Sequence, residues 1–331
     1  MSALTDKPAV LVARRAPEAV LQRLQASFEV DYHDGELPLP PAELQARLHG
    51  KAGAYITGTE RITAALLDAC PALRVVCTMS VGYNHIDLAA CTARGVLVTN
   101  TPDVLTESTA DFGFALLMAT ARRMSEGERL LRDGGWKSWA WDFLAGSEVH
   151  GTTLGILGMG RIGQAIARRG HFGFGMPVIY HNRSRLPVDT EAELGARYVS
   201  KETLLREADH LVLVLPYSAE AHHCIAAPEL ALMKPTATLV NVARGGIVDE
   251  DALALALRER RIAAAGLDVF EGEPRVNPAL LTLPNVVLTP HIASATLPTR
   301  RAMAGLAADN LIAALTGGKP PTPLNPEVLS A

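Results

Sequence analysis

The chain has 331 residues, of which 48% are apolar and 20% charged, with a formal net charge of -4. That length exceeds one ordinary hydrophobic core and suits two domains, while the dispersed charge offers no basic footprint for nucleic acid. No apolar run reaches the length of a membrane span, so neither nucleic acid nor membrane is an expected partner. The opening residues, MSALTDKPAV, show no basic region followed by a long apolar segment, which argues against secretion. Cys70, Cys77, Cys91 and Cys224 have no metal-ligand spacing and sit in apolar surroundings. They read as buried thiols in a reducing compartment, and the expected location is the cytoplasm. His222-His223-Cys224 has ligand chemistry, but adjacent residues seldom converge on one ion and no partner cluster is evident in the sequence. No metal is expected.

In chain order, residues 10–12 read as a strand and 17–28 as a helix, with another strand near Val30. Residues 41–48 are helical, 54–57 extended, 62–69 helical and 73–78 extended, the pattern of a parallel sheet covered by helices. This first α/β domain ends near 96–98. Residues 106–120 form an apolar helix expected to pack between the domains, with Glu107 and Asp111 one turn apart and paired or capping backbone. The segment 134–147 carries Trp136, Trp139 and Trp141 with little periodicity. It reads either as a loop covering a core or as an interface anchor.

The centre of the sequence is residues 152–182. An apolar strand at 154–157 is followed by Gly158, Gly160 and Gly163 at G-x-G-x-x-G spacing, then a helical pattern and a second strand at 177–180. Gly158 permits the tight turn, Gly160 lets backbone approach a pyrophosphate, and Gly163 lets the helix lie close on the sheet. Met159, Arg161 and Ile162 share that turn and helix start, where N–H groups and the helix dipole hold phosphate. Strand, glycines, helix and strand in this order predict a dinucleotide site.

Further strands are expected at 211–215, ending in Pro216, and at 238–242, 264–267 and 286–288. Helices fall at 228–233, 249–258 and 296–315, after which the proline-rich tail GGKPPTPLNPE cannot continue the helix. Ligands of open α/β sheets sit beyond the carboxyl ends of strands. The cofactor-binding set therefore extends to Leu215, Pro216, Val242 and Ala243. Three such ends carry chemistry: Arg244 before paired glycines, Asp268 with Glu273, and His291 after Pro290. Singly, Arg244 is equally a strand-end cap, Glu273 a loop carboxylate, Asp268 a turn residue and His291 a satisfied histidine. Together they form a kit for reducing an α-keto acid: a bidentate guanidinium clamp, a proton donor, and a carboxylate that orients it.

The glycine fingerprint together with VNVARGGIVDEDAL, GLDVFEGEP and LTPHIASAT resembles the D-isomer-specific 2-hydroxyacid dehydrogenases over almost the whole chain, and among them the glyoxylate/hydroxypyruvate reductases. The resemblance implies an α/β fold of two Rossmann-like/flavodoxin-like domains with parallel sheets and a substrate cleft between them. A discontinuous substrate-binding domain would take 1–100 with 290–331, and a dinucleotide-binding domain 101–289. Arg244 would bind the substrate's carboxylate and carbonyl, His291 would be the acid/base, Glu273 its partner, and Asp268 a contact of the nicotinamide carboxamide. Backbone N–H groups of Val81 and Gly82 would hold the substrate carboxylate, and Thr106 would lie near the nicotinamide. The implied activity is reduction of glyoxylate and hydroxypyruvate. The alternatives are 2-ketogluconate or another 2-hydroxyacid, or a cofactor-binding regulatory protein. A homodimer is implied, with Trp139, or failing it Trp141, crossing into the partner's active site.

In an NAD-preferring site the second strand ends in an acid that accepts from the ribose hydroxyls. That position is His181 here, followed by Asn182, Arg183, Ser184 and Arg185. Arg183 with Ser184, and Arg185 as a further candidate, would bind a 2′-phosphate by charge-assisted hydrogen bonds. The expected cofactor is NADP(H), with NAD(H) as the second choice.

Overall fold

The computed structural model describes residues 7–330. Of the opening residues that speak against secretion, 1–6 lie outside this range. Among the described residues no helix is long and apolar enough to cross a membrane.

The elements begin with β1 (Ala9–Val12), α1 (Glu18–Ser27), β2 (Glu29–Tyr32), α2 (Pro41–Leu48), β3 (Gly53–Ile56) and α3 (Ala64–Ala69). They continue through β4 (Val75–Thr78), α4 (Leu88–Ala93), β5 (Leu97–Thr99), α5 (Thr106–Ala121) and α6 (Met124–Arg132). Next come β6 (Leu154–Leu157), α7 (Arg161–Arg168), β7 (Val178–His181), α8 (Val188–Leu194), β8 (Ala196–Tyr198) and α9 (Lys201–Glu207). The last are β9 (His210–Leu213), α10 (Ala227–Leu230), β10 (Thr238–Asn241), α11 (Glu250–Arg258), β11 (Ala264–Leu267), α12 (Pro278–Leu281), β12 (Val286–Leu288) and α13 (Leu297–Thr316). Two compact units result: Met1–Leu105 with Thr296–Ala331, and Thr106–Ala295.

The first unit holds a parallel sheet in the order β2-β1-β3-β4-β5. Strands β3 and β4 are buried on both faces, so their sequences run nearly continuously apolar, Thr78 apart, rather than alternating. One covering helix comes from far along the chain. α13 packs on β3 and β4, placing Ala304, Ala307 and Leu311 against Tyr55. Gly53 makes room for it, since a Cβ there would lie 2.8 Å from Leu311 Cδ1. α13 stops at Gly317 (φ 82°), and the proline-rich tail returns along the edge of β5, where Thr99 bridges Pro323. Asn325, 1% exposed, substitutes for a neighbouring strand. Its Oδ1 accepts from the Val98 N–H at 2.8 Å, and its Nδ2 donates to the Val96 carbonyl at 2.9 Å.

The second unit holds a parallel sheet in the order β12-β11-β10-β9-β6-β7-β8. The strand order reverses between β6 and β9, where an open α/β sheet forms its ligand crevice. Helix α5, expected to pack between the domains, lays Ala110, Gly113, Phe114 and Leu117 on α7 and on strands of this second sheet. Gly113 and Gly266 permit the approach. A Cβ on Gly266 would meet Thr120 Oγ1 at 2.4 Å. Glu107 and Asp111 are paired as expected, both with Arg169.

Several elements lie outside the sequence expectations. α4, α8 and α9 are helices of six or seven residues, and β8 has three. α6 buries no residue, so the burial that generates a readable apolar face is missing. β7 starts one residue later than expected and ends on His181. The reading of 134–147 as a core cover fails: Trp136, Trp139 and Trp141 are 57%, 78% and 85% exposed.

Replacing Asn325 by Ala should leave the Val98 N–H and Val96 carbonyl without their partner. A buried polar group so orphaned costs ~1–3 kcal/mol. Urea unfolding should show that loss, and amide exchange at Val98 should accelerate; an unchanged midpoint would contradict the edge-substitute role.

Candidate active site

The turn after β6 is shaped by what its glycines exclude. Gly158 sits at φ 102°, and a Cβ there would lie 2.6 Å from the Leu215 backbone nitrogen. A Cβ on Gly163 would come within 2.4 Å of the Gly158 carbonyl oxygen. Gly158 therefore wedges the turn against the chain leaving β9, and Gly163 lets α7 press on it. Gly160 differs, because a Cβ built there meets nothing within 4 Å. It faces open space and precedes α7 with no side chain capping the helix. An open cradle at an uncapped helix start fits the diphosphate of a dinucleotide, since helix N–H groups and the dipole favour an anion. The Met159 N–H donates to Asn182 Oδ1 at 2.6 Å, which pins this loop to the end of β7.

At that strand end no carboxylate stands in the ribose position. His181 occupies it, its Nδ1 2.8 Å from the Val199 carbonyl and its ring stacked on Tyr198. Arg183 and Ser184 are exposed. Arg185, the further phosphate candidate, is committed elsewhere: it donates twice to Glu191, at 2.9 and 2.6 Å, and Tyr180 donates to the same carboxylate.

Along the carboxyl edge of the sheet, Asn241 shapes the turn after β10. Its Oδ1 accepts from the Ala243 N–H at 3.0 Å and its Nδ2 donates to the Arg244 carbonyl at 3.1 Å. Val242 and Ala243 are buried. Arg244 donates from Nη1 to the Ala243 carbonyl at 2.7 Å. Burial pulls the guanidinium's pKa below its ordinary value, with the Glu273 charge opposing. The next residue ties two strand ends together: a Cβ on Gly245 would lie 1.8 Å from the Phe270 carbonyl oxygen. Only glycine lets these loops touch.

After β11, Asp268 is fully buried and accepts from Thr289 Oγ1 at 2.7 Å and from the N–H groups of Ile292 and Ala293 at 2.8 and 2.9 Å. Burial pushes its carboxyl above the ordinary range, the three donors notwithstanding. Its oxygens thus brace the turn carrying His291, an internal duty besides the expected carboxamide contact. His291 itself adopts φ 53°. Its Nδ1 lies 2.8 Å from Glu273 Oε2, while Glu273 Oε1 accepts from the Phe270 N–H at 2.9 Å. Burial raises the Glu273 carboxyl, but the bond and charge of His291, the Phe270 N–H and Arg244 outweigh it and hold the group below its ordinary value. With Nδ1 engaged, Nε2 is the nitrogen left for a substrate oxygen.

Elsewhere, Thr106 opens α5. In the first unit, Asn100 Nδ2 donates to the Val81 carbonyl at 2.8 Å and Ser80 Oγ to the Gly82 carbonyl at 2.7 Å. Because a planar trans peptide points its N–H opposite its C=O, anchoring the Val81 carbonyl turns the Gly82 N–H the other way. Sequence reading missed Asn241 and Thr289 as supports. An asparagine ending a strand before a glycine-bearing turn was the available signal. It also found no partner for the paired histidines, whereas the fold brings Glu271 to them: His223 Nε2 lies 2.8 Å from Glu271 Oε2.

Residues 114–293 match the family described as D-isomer specific 2-hydroxyacid dehydrogenase, NAD binding domain. A glyoxylate reductase of Thermococcus onnurineus is 48% identical over 328 residues, covering 98% of this chain and 98% of that protein. The crystal structure of a Thermus thermophilus protein superposes with a TM-score of 0.88 at 46% identity, over 96% of this chain and 99% of the other. That of an NADPH-dependent glyoxylate/hydroxypyruvate reductase from Sinorhizobium meliloti, in complex with NADP and malonate, gives 0.86 at 38% identity, over 96% and 97%. The glycine cradle, the Glu273–His291 pair and these likenesses agree: the chain belongs to the D-isomer-specific 2-hydroxyacid dehydrogenases and is an NAD(P)-dependent oxidoreductase.

Proposed function

We propose that the protein reduces glyoxylate and hydroxypyruvate, to glycolate and D-glycerate, with NADPH as the preferred cofactor. The observation that carries this reading is the 2.8 Å bond between His291 Nδ1 and Glu273, on a loop locked to the strand end bearing Arg244. The relatives named as glyoxylate reductases support the substrate class.

The chemistry is carried by residues in separate roles. Arg244 clamps the substrate carboxylate and polarises the adjacent carbonyl, because its planar fork matches a carboxylate in two bonds. The family resemblance also assigns carboxylate contacts to the N–H groups of Val81 and Gly82 in the first unit. When bound, the nicotinamide supplies the hydride to the carbonyl carbon. His291 Nε2 delivers the proton to the carbonyl oxygen, and Glu273 orients the ring and stabilises its charged form until that proton leaves. Asp268 keeps the His291 turn in place. The backbone from Gly158 to Gly163, including Met159, Arg161 and Ile162, would hold the diphosphate, and Leu215, Pro216, Val242 and Ala243 would wall its crevice. Thr106 and Asp268 would serve the nicotinamide end. His181 and Asn182 would close the adenosine end, and Arg183 with Ser184 would hold a 2′-phosphate.

A homodimer accompanies this reading. Trp139 on its exposed loop, or Trp141, is the anchor, an exposed aromatic cluster being more typical of an interface than of a free surface. A cytoplasmic location belongs to this reading and is supported by the free thiols of Cys70, Cys77, Cys91 and Cys224.

Steady-state assays with glyoxylate, hydroxypyruvate, pyruvate and 2-ketogluconate should rank the first two highest in kcat/KM; a marked preference for 2-ketogluconate would overturn the substrate assignment. Glu273→Gln should shift the alkaline limb of the reduction profile to lower pH. The sign follows from charge: the Glu273 carboxyl, held below its ordinary value by the His291 bond and by Arg244, is negative 2.8 Å from Nδ1, and the neutral amide of Gln supports a positive ring less. An unmoved limb in pH-rate profiles would refute the pairing's role. Arg183→Ala should weaken NADPH by ~10-fold or more, since one charged hydrogen bond contributes ~1.5–3 kcal/mol. NADH, which lacks the phosphate, should change little. Equal losses for both cofactors would place Arg183 outside the phosphate site.

A further inference from the structure

The loop that carries Glu273 also meets a group of side chains for which the reaction has no use. His223 Nε2 lies 2.8 Å from Glu271 Oε2, and His222 stacks on His223 with ring centroids 3.8 Å apart. One ligand atom from each of His222, His223 and Glu271 lies within 4.8 Å of the others. Neighbouring side chains in an extended chain point to opposite faces. Here His223 adopts φ 49°, which breaks that alternation and brings both rings together.

The backbone fixes the arrangement. The His223 N–H donates to the Gly246 carbonyl at 2.7 Å, and the Glu271 N–H donates to Glu250 Oε1 at 2.7 Å. The Tyr217 hydroxyl lies 3.1 Å from His222 Nδ1, leaving Nε2 as that ring's outward nitrogen.

We propose that His222, His223 and Glu271 bind a borderline divalent transition-metal ion, of the class of Zn²⁺, Ni²⁺ and Cu²⁺. Two imidazoles and one carboxylate suit such ions, whereas Mg²⁺ and Ca²⁺ take oxygen ligands. The tyrosine bonded to His222 Nδ1 is the kind of outer partner that fixes the ring of a metal-ligating histidine. The ion takes the place of the hydrogen bond between His223 Nε2 and Glu271 Oε2. His222 and Glu271 are exposed, so water completes the coordination. The ligands come from the segments after β9 and β11, on either side of the one bearing Arg244, and a bound ion clips these segments together.

Equilibrium dialysis of the tag-free, metal-stripped full chain against Zn²⁺ at neutral pH tests this. One saturable equivalent per chain is expected, displaced by Ni²⁺ or Cu²⁺ and retained in a large excess of Mg²⁺. His222→Ala and Glu271→Gln should each weaken it by ~10-fold or more, the loss that even outer-shell partners produce. His49→Ala, an exposed histidine of the other unit, should leave it unchanged. Electron paramagnetic resonance of the Cu²⁺ form should show two imidazole nitrogens in the parent and one in His222→Ala, with circular dichroism verifying the fold. Absence of a saturable equivalent, its retention in both variants, or an unchanged nitrogen count would overturn the site.

Discussion

The buried carboxylate of Asp268 is the interaction on which the site depends. A carboxyl taken out of water needs its lone pairs satisfied, and three donors from one short segment, Thr289 to Ala293, supply them. The segment between them has little conformational choice, and His291 is held at a left-handed φ that an unbraced histidine seldom adopts. The imidazole then falls to Glu273, whose other oxygen is occupied by the Phe270 N–H. A chain of polar groups thus runs from the end of β11 to His291 and Glu273, and buried polar groups held by several partners at once are rigid.

Much of this was legible in the sequence because parallel strands buried on both faces are continuous apolar runs. β11 and β12 fall where expected, to the residue. So does α2, with Pro41 at its first turn. The strand ends that precede Arg244, Glu273 and His291 were legible as well, and the structure pairs the last two. Failures came where the signal depends on burial that a short or exposed element lacks, as in α4 and α6. Others came where a side chain replaces backbone, as Asn325 does beside β5 and Asn241 does after β10. Sequence spacing cannot show that Glu271 lies against His223, because 48 residues separate them and they meet only where the segments leaving β9 and β11 reach each other past the end of β10.

The arginines after β7 show the same limit at closer range. Arg183 and Arg185 are two residues apart and chemically identical, yet Glu191 on α8 takes one of them. Glu191 is itself buried and already accepts from Tyr180, so its charge requires a cation, and Arg185 provides it. Which arginine remains for a ligand is decided by a helix that the sequence reading did not find.

The return of α13 and Asn325 to the first sheet has a consequence for biosynthesis. Strands β1 to β5 leave the ribosome first, but the helix that covers β3 and β4 follows roughly 200 residues later, a delay of about 10–40 s at ~5–20 residues per second. Through that interval the nascent sheet lacks the cover of α13, and β5 lacks the edge partner that Asn325 provides. The second unit, an unbroken run from Thr106 to Ala295, has all its strands and helices in hand before α13 is made. The part of the protein begun first is therefore finished last, and its half-built sheet is the state that a chaperone would have reason to shelter.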